Sequence, residues 1–547
     1  MTHPLRRTAT AAAALILAGS SAALANVKLP AIFGDHMVLQ QGMPVPVWGT
    51  ADPGEPITVT VDGQSAQTKA GDDGKWMVKL KPLKPPGDAV SLTVKGKNTL
   101  TIKDVLIGEV WVCSGQSNME FSLRNTNNAQ IDLPAASDPQ LRFFVVAHKT
   151  AHTPEPDVQG KWVLCSPDSS TNFTAVGYFF GRELRHTLKQ PVGLIATYWG
   201  GTPAQSWTSL EGLQKEPVLA HYVNDWKKID ADYAQAAIGY PAALAAYGKE
   251  MEEWRQMHGA EYNDLIAKWK EASLKAIAAK ASPPPRPTPP APLPKRPIDP
   301  SGGEHSAATL YNGMIAPLIP YAIRGTIWYQ GESNAGAAEE YRTLFPAMIK
   351  DWRAKWGEGN FPFLWVQLAG FHADDTDKWP NLRDAQARTL SLPATGMATA
   401  VDIGLPANIH PTDKYDVGKR LSLIALDVAY GRKLVDSGPV FKGVQKDPKG
   451  LRVEFQDNGS ALKIGKTPWP RQEYMLPMDH LVGFELAGAD DKWQPANAVI
   501  DGKSVLVSSS TVPDPTQVRY DWKSFPEGNL YNMDNLPATP FKAALAQ

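Results

Sequence analysis

A chain of 547 residues is too long for one hydrophobic core, so several domains are expected, at least one of them large. A composition of 43% hydrophobic and 20% charged residues is ordinary for globular proteins, and a formal charge of −1 gives no electrostatic reason to bind nucleic acid. Apart from the N-terminus, no apolar run approaches the roughly 18 residues needed to span a bilayer, which excludes membrane insertion of the mature chain.

Residues 1–25 carry Arg6 and Arg7, an apolar stretch from Ala11 to Ala18, and small residues ending Ala23-Leu24-Ala25. This is the layout of a cleaved secretory signal, so maturation near Asn26 and a periplasmic or extracellular location are expected. Thr8 and Ala9 do not continue a twin-arginine pattern, which favours the general route. Residues 26–103 alternate short β-type stretches such as Ile57-Thr58-Val59-Thr60-Val61 with Gly, Asp and Pro turns, and read as a small β-sandwich.

From 104 to 215 the format is α/β. The runs Val105–Cys113 and Val192–Thr197 are buried-strand candidates, and Phe173, Val176, Phe179, Phe180 and Leu184 recur at helical spacing after the capping candidates Ser169, Ser170 and Thr171. Residues 216–302 form an insertion. Its Ala237–Ala281 stretch is helical in content, and the proline density of Pro283–Pro300 imposes an extended segment, whether as spacer, lid support or loop. The α/β rhythm resumes over 303–432 with strands at Ile323–Tyr329, Phe363–Leu368 and Ala398–Asp402, and helices at Tyr341–Trp356 and Val417–Tyr430. Residues 433–547 alternate β stretches and turns once more.

Cys113 and Cys165 are the only cysteines. An oxidising compartment permits them to pair, but two reduced, buried thiols fit equally well. No Cys-x-x-Cys or His-Glu-x-x-His is present, so a site without metal or cofactor is expected.

Four segments follow predicted strands, where open α/β sheets build their sites. Ser117, in Ser114-Gly115-Gln116-Ser117-Asn118-Met119, sits on a strand-to-helix turn that exposes a hydroxyl and aims backbone N–H groups at an oxyanion. Trp199-Gly200-Gly201-Thr202 offers close backbone approach. Trp328-Tyr329-Gln330-Gly331-Glu332-Ser333-Asn334 brings amides and a carboxylate, with Gln330 or Asn334 as side-chain donors. Ile409-His410-Pro411-Thr412-Asp413-Lys414 supplies a base in His410. Each segment alone is an ordinary turn, and their convergence on one edge is what gives them weight.

Gly115-Gln116-Ser117-Asn118-Met119, Trp328-Tyr329-Gln330-Gly331-Glu332-Ser333-Asn334 and Ile409-His410-Pro411, together with Leu29-Pro30-Ala31-Ile32-Phe33-Gly34-Asp35-His36-Met37-Val38-Leu39, resemble the sialate O-acetylesterase-like branch of the SGNH hydrolases, in matching order over most of the mature chain. The resemblance implies a flavodoxin-like three-layer α/β domain, here split by the helical and Pro-rich insertion and flanked by β-sandwich-type regions. It also implies Ser117 as nucleophile, Gly201 in the oxyanion hole and His410 as base. The family often places an Asp three residues before the histidine, where this chain has Ala407. Asp402 is the preferred replacement and Glu332 the second, and a Ser-His dyad oriented by a backbone carbonyl remains open. The oxyanion would be held by the Ser117 and Gly201 N–H groups and the Gln330 amide.

The expected activity is exported hydrolysis of acetyl esters on sugar hydroxyls, with sialic acid or a plant polysaccharide such as xyloglucan as substrate. The insertion and flanking β regions tilt the expectation toward the plant polymer. Trp199, Trp207 and Trp328 are candidate sugar platforms, with core packing as the competing reading. The rivals are a non-catalytic carbohydrate-binding protein and a lipid esterase or thioesterase, the latter needing a larger apolar pocket. The sequence sets no oligomeric state.

Overall fold

The computed structural model describes residues 26–546 except 86, 279–283, 373–376, 469 and 472–477. The expected secretory segment and the start of the proline run therefore lie outside the described residues.

The hydrophobic run before Ser117 forms one 17-residue strand, β1 (Thr99–Gly115), whose last nine residues are all buried. Its first half pairs antiparallel with Val90–Lys95 and belongs to the N-terminal β region, where Pro56–Val61 pairs with Gln64–Lys69 and Val45–Thr50 with Lys75–Leu80. Its second half is the central strand of a parallel sheet. The boundary expected between 103 and 104 thus falls inside a continuous strand, which ties the two regions together.

Along the chain follow β2 (Asp138–Val145), β3 (Trp162–Cys165), α1 (Ala175–Leu188), β4 (Val192–Tyr198), α2 (Ala220–Ala278), β5 (Gly325–Tyr329), α3 (Ala338–Trp356), β6 (Phe363–Gln367), α4 (Lys378–Arg388), β7 (Thr395–Thr399) and α5 (Tyr415–Val428). The parallel core runs β4-β1-β5-β6-β7, the 2-1-3-4-5 order of flavodoxin-like sheets, with β2 and the antiparallel β3 added beyond β4. Every residue of β4, β5 and β6 is buried, because helices cover both faces. Helices α1 and α5 pack together on one side, and α3 and α4 on the other, as right-handed crossovers require.

Two local expectations shift. Ser169, Ser170 and Thr171 lie in a separate short helix capped by Ser166, while Thr174 caps α1 by accepting from the Gly177 N–H. β7 ends at Thr399, so Asp402 sits in the turn beyond the strand rather than in it.

The insertion is one helix of 59 residues, on the order of 90 Å long at ~1.5 Å per residue. It begins at Ala220, earlier than its composition suggested, and continues through Pro241. Its base is docked by His152, whose ring lies between Trp226 and Tyr233 at centroid distances of 4.9 and 4.0 Å. The proline segment returns along the helix: Trp269 Nε1 donates to the Pro284 carbonyl (2.8 Å) and Trp254 Nε1 to that of Ala291 (3.3 Å).

Beyond α5, two four-stranded antiparallel sheets enclose a second core containing Leu451, Val453, Leu486, Val505 and Val518. Cys113 and Cys165 are both buried and unpaired, and burial pushes both thiols up. Among the described residues, no helix is long and apolar enough to cross a membrane.

Candidate active site

The order of the core strands reverses at β1, which has β4 on one side and β5 on the other, and the crevice beyond such a reversal is where α/β sheets bind ligands. Gly115 ends β1 at φ 134°, and a Cβ there would stand 2.2 Å from the Tyr329 carbonyl oxygen of β5. Only glycine permits both the left-handed φ and the close approach. The Gln116 N–H donates to that same carbonyl (2.9 Å), and the chain turns directly into one helical turn, Ser117–Glu120, with Met119 buried beneath it. Ser117 is thereby presented at the rim.

Trp199-Gly200-Gly201 leaves β4 beside it. A Cβ at Gly200 would lie 3.1 Å from Glu120 Oε2 and 3.3 Å from the Ser117 Cβ, a tight fit that brings this backbone close to Ser117. The Gly200 N–H is occupied by Glu120 Oε2 (2.6 Å). The Ser117 and Gly201 N–H groups make no hydrogen bond among the described residues. Gly201 is held by its carbonyl, which accepts from Ser333 Oγ (2.8 Å) and from the His305 ring (3.1 Å).

His410 comes from the loop between β7 and α5. Its Nε2 lies 2.8 Å from Ser117 Oγ, across 293 residues of sequence, and its ring stacks near Phe121. In the tautomer with Nε2 unprotonated, the serine hydroxyl donates to it. Burial lowers the His410 pKa from 6.5 to about 4, assisted by the positive charge of Lys414. The imidazole therefore stands ready as a free base.

No carboxylate hydrogen-bonds the other ring nitrogen among the described residues. Asp402, the expected acid, is committed elsewhere: both its oxygens accept from Arg420 (2.7 and 2.8 Å), and Oδ2 also accepts from Tyr531. A guanidinium buried at the same depth is its stronger partner. Glu332 turns away from His410 as well, accepting from Asn118 Nδ2 at 2.6 Å. Its carboxylate is buried, and burial raises its pKa against the opposing pull of Asn118 and Lys414.

Gln330, the expected side-chain oxyanion donor, is fully buried and its amide is committed to other partners. Its Nε2 donates to Asn334 Oδ1 (2.7 Å) and the Thr202 carbonyl (3.3 Å), while its Oε1 accepts from Tyr341. Asn334 in turn accepts from the Ala204 N–H and donates to Gln205, so both amides brace the β4 and β5 loops. Trp207 and Trp328 are fully buried and pack edge to face, which makes them core and not sugar platforms. Trp199 is partly exposed and stacks on His148 with centroids 4.3 Å apart.

Several residues around Ser117 and His410 lie outside the four loop motifs. Glu120, His148, Arg124 and Asn172 line, with Ser117 and His410, an open cleft of about 560 Å³. Lys414 was visible but unread. A lysine at the N-cap of α5 opposes the helix dipole and lacks the short oxygen that caps prefer, an anomaly that could have flagged it.

A family model for carbohydrate esterases described as sialic acid-specific acetylesterase matches residues 303–425, the stretch that holds Glu332, Asp402 and His410 but not Ser117. The sialate O-acetylesterase of Mus musculus is 30% identical over 564 residues, covering 94% of this chain and 93% of the relative. The chain belongs to the sialate O-acetylesterase family. The Rattus norvegicus member is 29% identical over 562 residues, with 93% of each chain covered. A solved carbohydrate acetylesterase from Xanthomonas citri is 35% identical with a TM-score of 0.74, covering 95% of this chain and all of that one. Membership makes the chain an ester hydrolase of the acetylesterase class.

Two outcomes follow from the geometry. Because His410 must be neutral to accept a proton and its pKa is lowered to about 4, kcat/KM should hold its plateau down to about pH 4. A pH–rate profile whose acid limb falls at the ordinary 6.5 would contradict this. Asp402→Ala should leave the buried Arg420 without its carboxylate, with only the Thr399 carbonyl as hydrogen-bond partner among the described residues, and cost roughly 3–5 kcal/mol in denaturant unfolding, any fall in kcat tracking that loss of stability. A collapse of kcat at unchanged stability would return Asp402 to the role of acid.

Proposed function

We propose that this protein is an exported carbohydrate O-acetylesterase that works through a Ser117 acetyl-enzyme in an SGNH-type site. His410 Nε2 takes the Ser117 proton as Oγ attacks the acetyl carbonyl, and the new C–O bond gives a tetrahedral oxyanion facing the Ser117 and Gly201 N–H groups. Collapse breaks the bond to the sugar oxygen, which leaves with the proton from His410. Water then attacks the acetyl-enzyme, giving its proton to His410, and acetate departs as Ser117 is regenerated.

The observation that carries this reading is the 2.8 Å contact of Ser117 Oγ with His410 Nε2, together with two backbone N–H groups, of Ser117 and Gly201, that make no hydrogen bond among the described residues. A binding protein with a relic site has no need of that geometry. The cleft favours a sugar over a lipid acyl chain: it is open, and Glu120, Arg124, His148 and Asn172 are among its walls. Arg124 and His148 suit an acidic sugar such as sialic acid. The open form suits a polymer such as acetylated xyloglucan, and the insertion and β regions tilt the reading that way.

Acetate release from acetylated xyloglucan oligosaccharides and from O-acetylated sialic acid tests the proposal. Ser117→Ala should lower kcat by roughly four to six orders of magnitude, and the better substrate assigns the sugar class. Release that survives in Ser117→Ala, or activity confined to long-chain esters, would sink the reading. Export predicts that periplasmic or secreted protein begins near Asn26, and an intact Met1 terminus on that fraction would reject it.

A further inference from the structure

Ser117 and His410 arrive at one sheet edge from the loops after β1 and β7, and among the described residues no carboxylate hydrogen-bonds the His410 ring. What joins the loops is the next residue, Asn118, which is buried. Its Nδ2 donates to the Ile409 carbonyl at 3.0 Å, the peptide group immediately before His410, and to Glu332 Oε1 at 2.6 Å. Its Oδ1 accepts from Lys414 Nζ at 2.5 Å. The Asn118 amide thus has donors and acceptor all committed and only one orientation that satisfies them.

The two charges that hold this amide are themselves enclosed. Lys414 is fully buried, its ammonium over the rings of Phe121 (4.9 Å) and Tyr329 (5.2 Å). Glu332 Oε2 has no hydrogen-bond partner among the described residues. An isolated charge in such a place is costly, and here a cation and an anion flank one neutral amide and balance each other. Asp413 also faces Lys414 and adds to the field that keeps it charged, against a burial that lowers its pKa to about 7.

We propose that Asn118, clamped between Lys414 and Glu332, is a positioning residue that fixes the His410 backbone against Ser117 through the Ile409 carbonyl. In this arrangement Lys414 supplies the cationic field at the imidazole. The bridge orients the base as a triad acid would, but with the opposite electrostatic sign: it keeps His410 unprotonated and does not stabilise the imidazolium.

This inference rests on the Ser117–His410 esterase reading, and the two can fail separately. With p-nitrophenyl acetate as probe, loss of activity in Ser117→Ala tests that reading. Asn118→Ala should then lower kcat about 10- to 100-fold with KM nearly unchanged, the cost of a misplaced catalytic group. Lys414→Met should move the acid limb of kcat/KM upward toward the ordinary histidine range. If either single variant does not fold, Lys414→Met/Glu332→Gln removes both buried charges together and carries the same pH readout. Wild-type kcat in folded Asn118→Ala, or an acid limb that stays in place without Lys414, overturns the proposal.

Discussion

The contact between Ser117 and His410 spans 293 positions of sequence, and much of the structure serves to hold two loops at that separation. Parallel strands make this possible, since they deliver every strand end to the same edge. β1 lies where the strand order reverses, so its end faces open space between two neighbours. Gly115 keeps β1 against the β5 backbone, Gly200 keeps the β4 loop against Ser117, and Ser333 and His305 fix the Gly201 carbonyl. Ser117 is thus located by main chain on both sides before any side chain beyond it matters.

The His410 loop is located differently, by buried charge. Asp402 at its root is locked to Arg420 and Tyr531. Arg471 donates to the carbonyls of Val401 and Pro526, and Arg383 to those of Leu368, Ala369, Lys523 and Ser524. These guanidiniums cross between the α/β sheet and the C-terminal β region. That region therefore forms part of the frame of the His410 loop. Each buried cation has carboxylate or carbonyl partners, as burial demands.

The insertion shows how an ambiguous sequence acquires a shape. A proline segment has no internal hydrogen bonds to set its path, and a mostly exposed helix has no strong apolar stripe. Indole N–H groups on the helix meeting carbonyls of the proline segment supply what neither has alone. Trp254 and Trp269 serve such anchoring, while Trp207 and Trp328, candidate sugar platforms by sequence, serve core packing.

By itself the sequence determined the β, split α/β and β organisation, the crossover helices, and the four loops that meet at the site. Hydrophobic periodicity and turn chemistry are local, and parallel pairing then leaves little choice about which edge the loops share. The placement of Ser117, Gly201 and His410 at one edge was legible because each follows a strand signal within a distinctive motif. Only the tertiary structure decided the partners of Asp402, Glu332, Gln330, Asn334, Trp207 and Trp328. A buried polar group takes whichever complementary group lies at its own depth, and for Asp402 that was Arg420 from the facing turn of α5 and Tyr531 from the C-terminal β region. Such pairings depend on distances between elements far apart in the chain, and no local pattern records them.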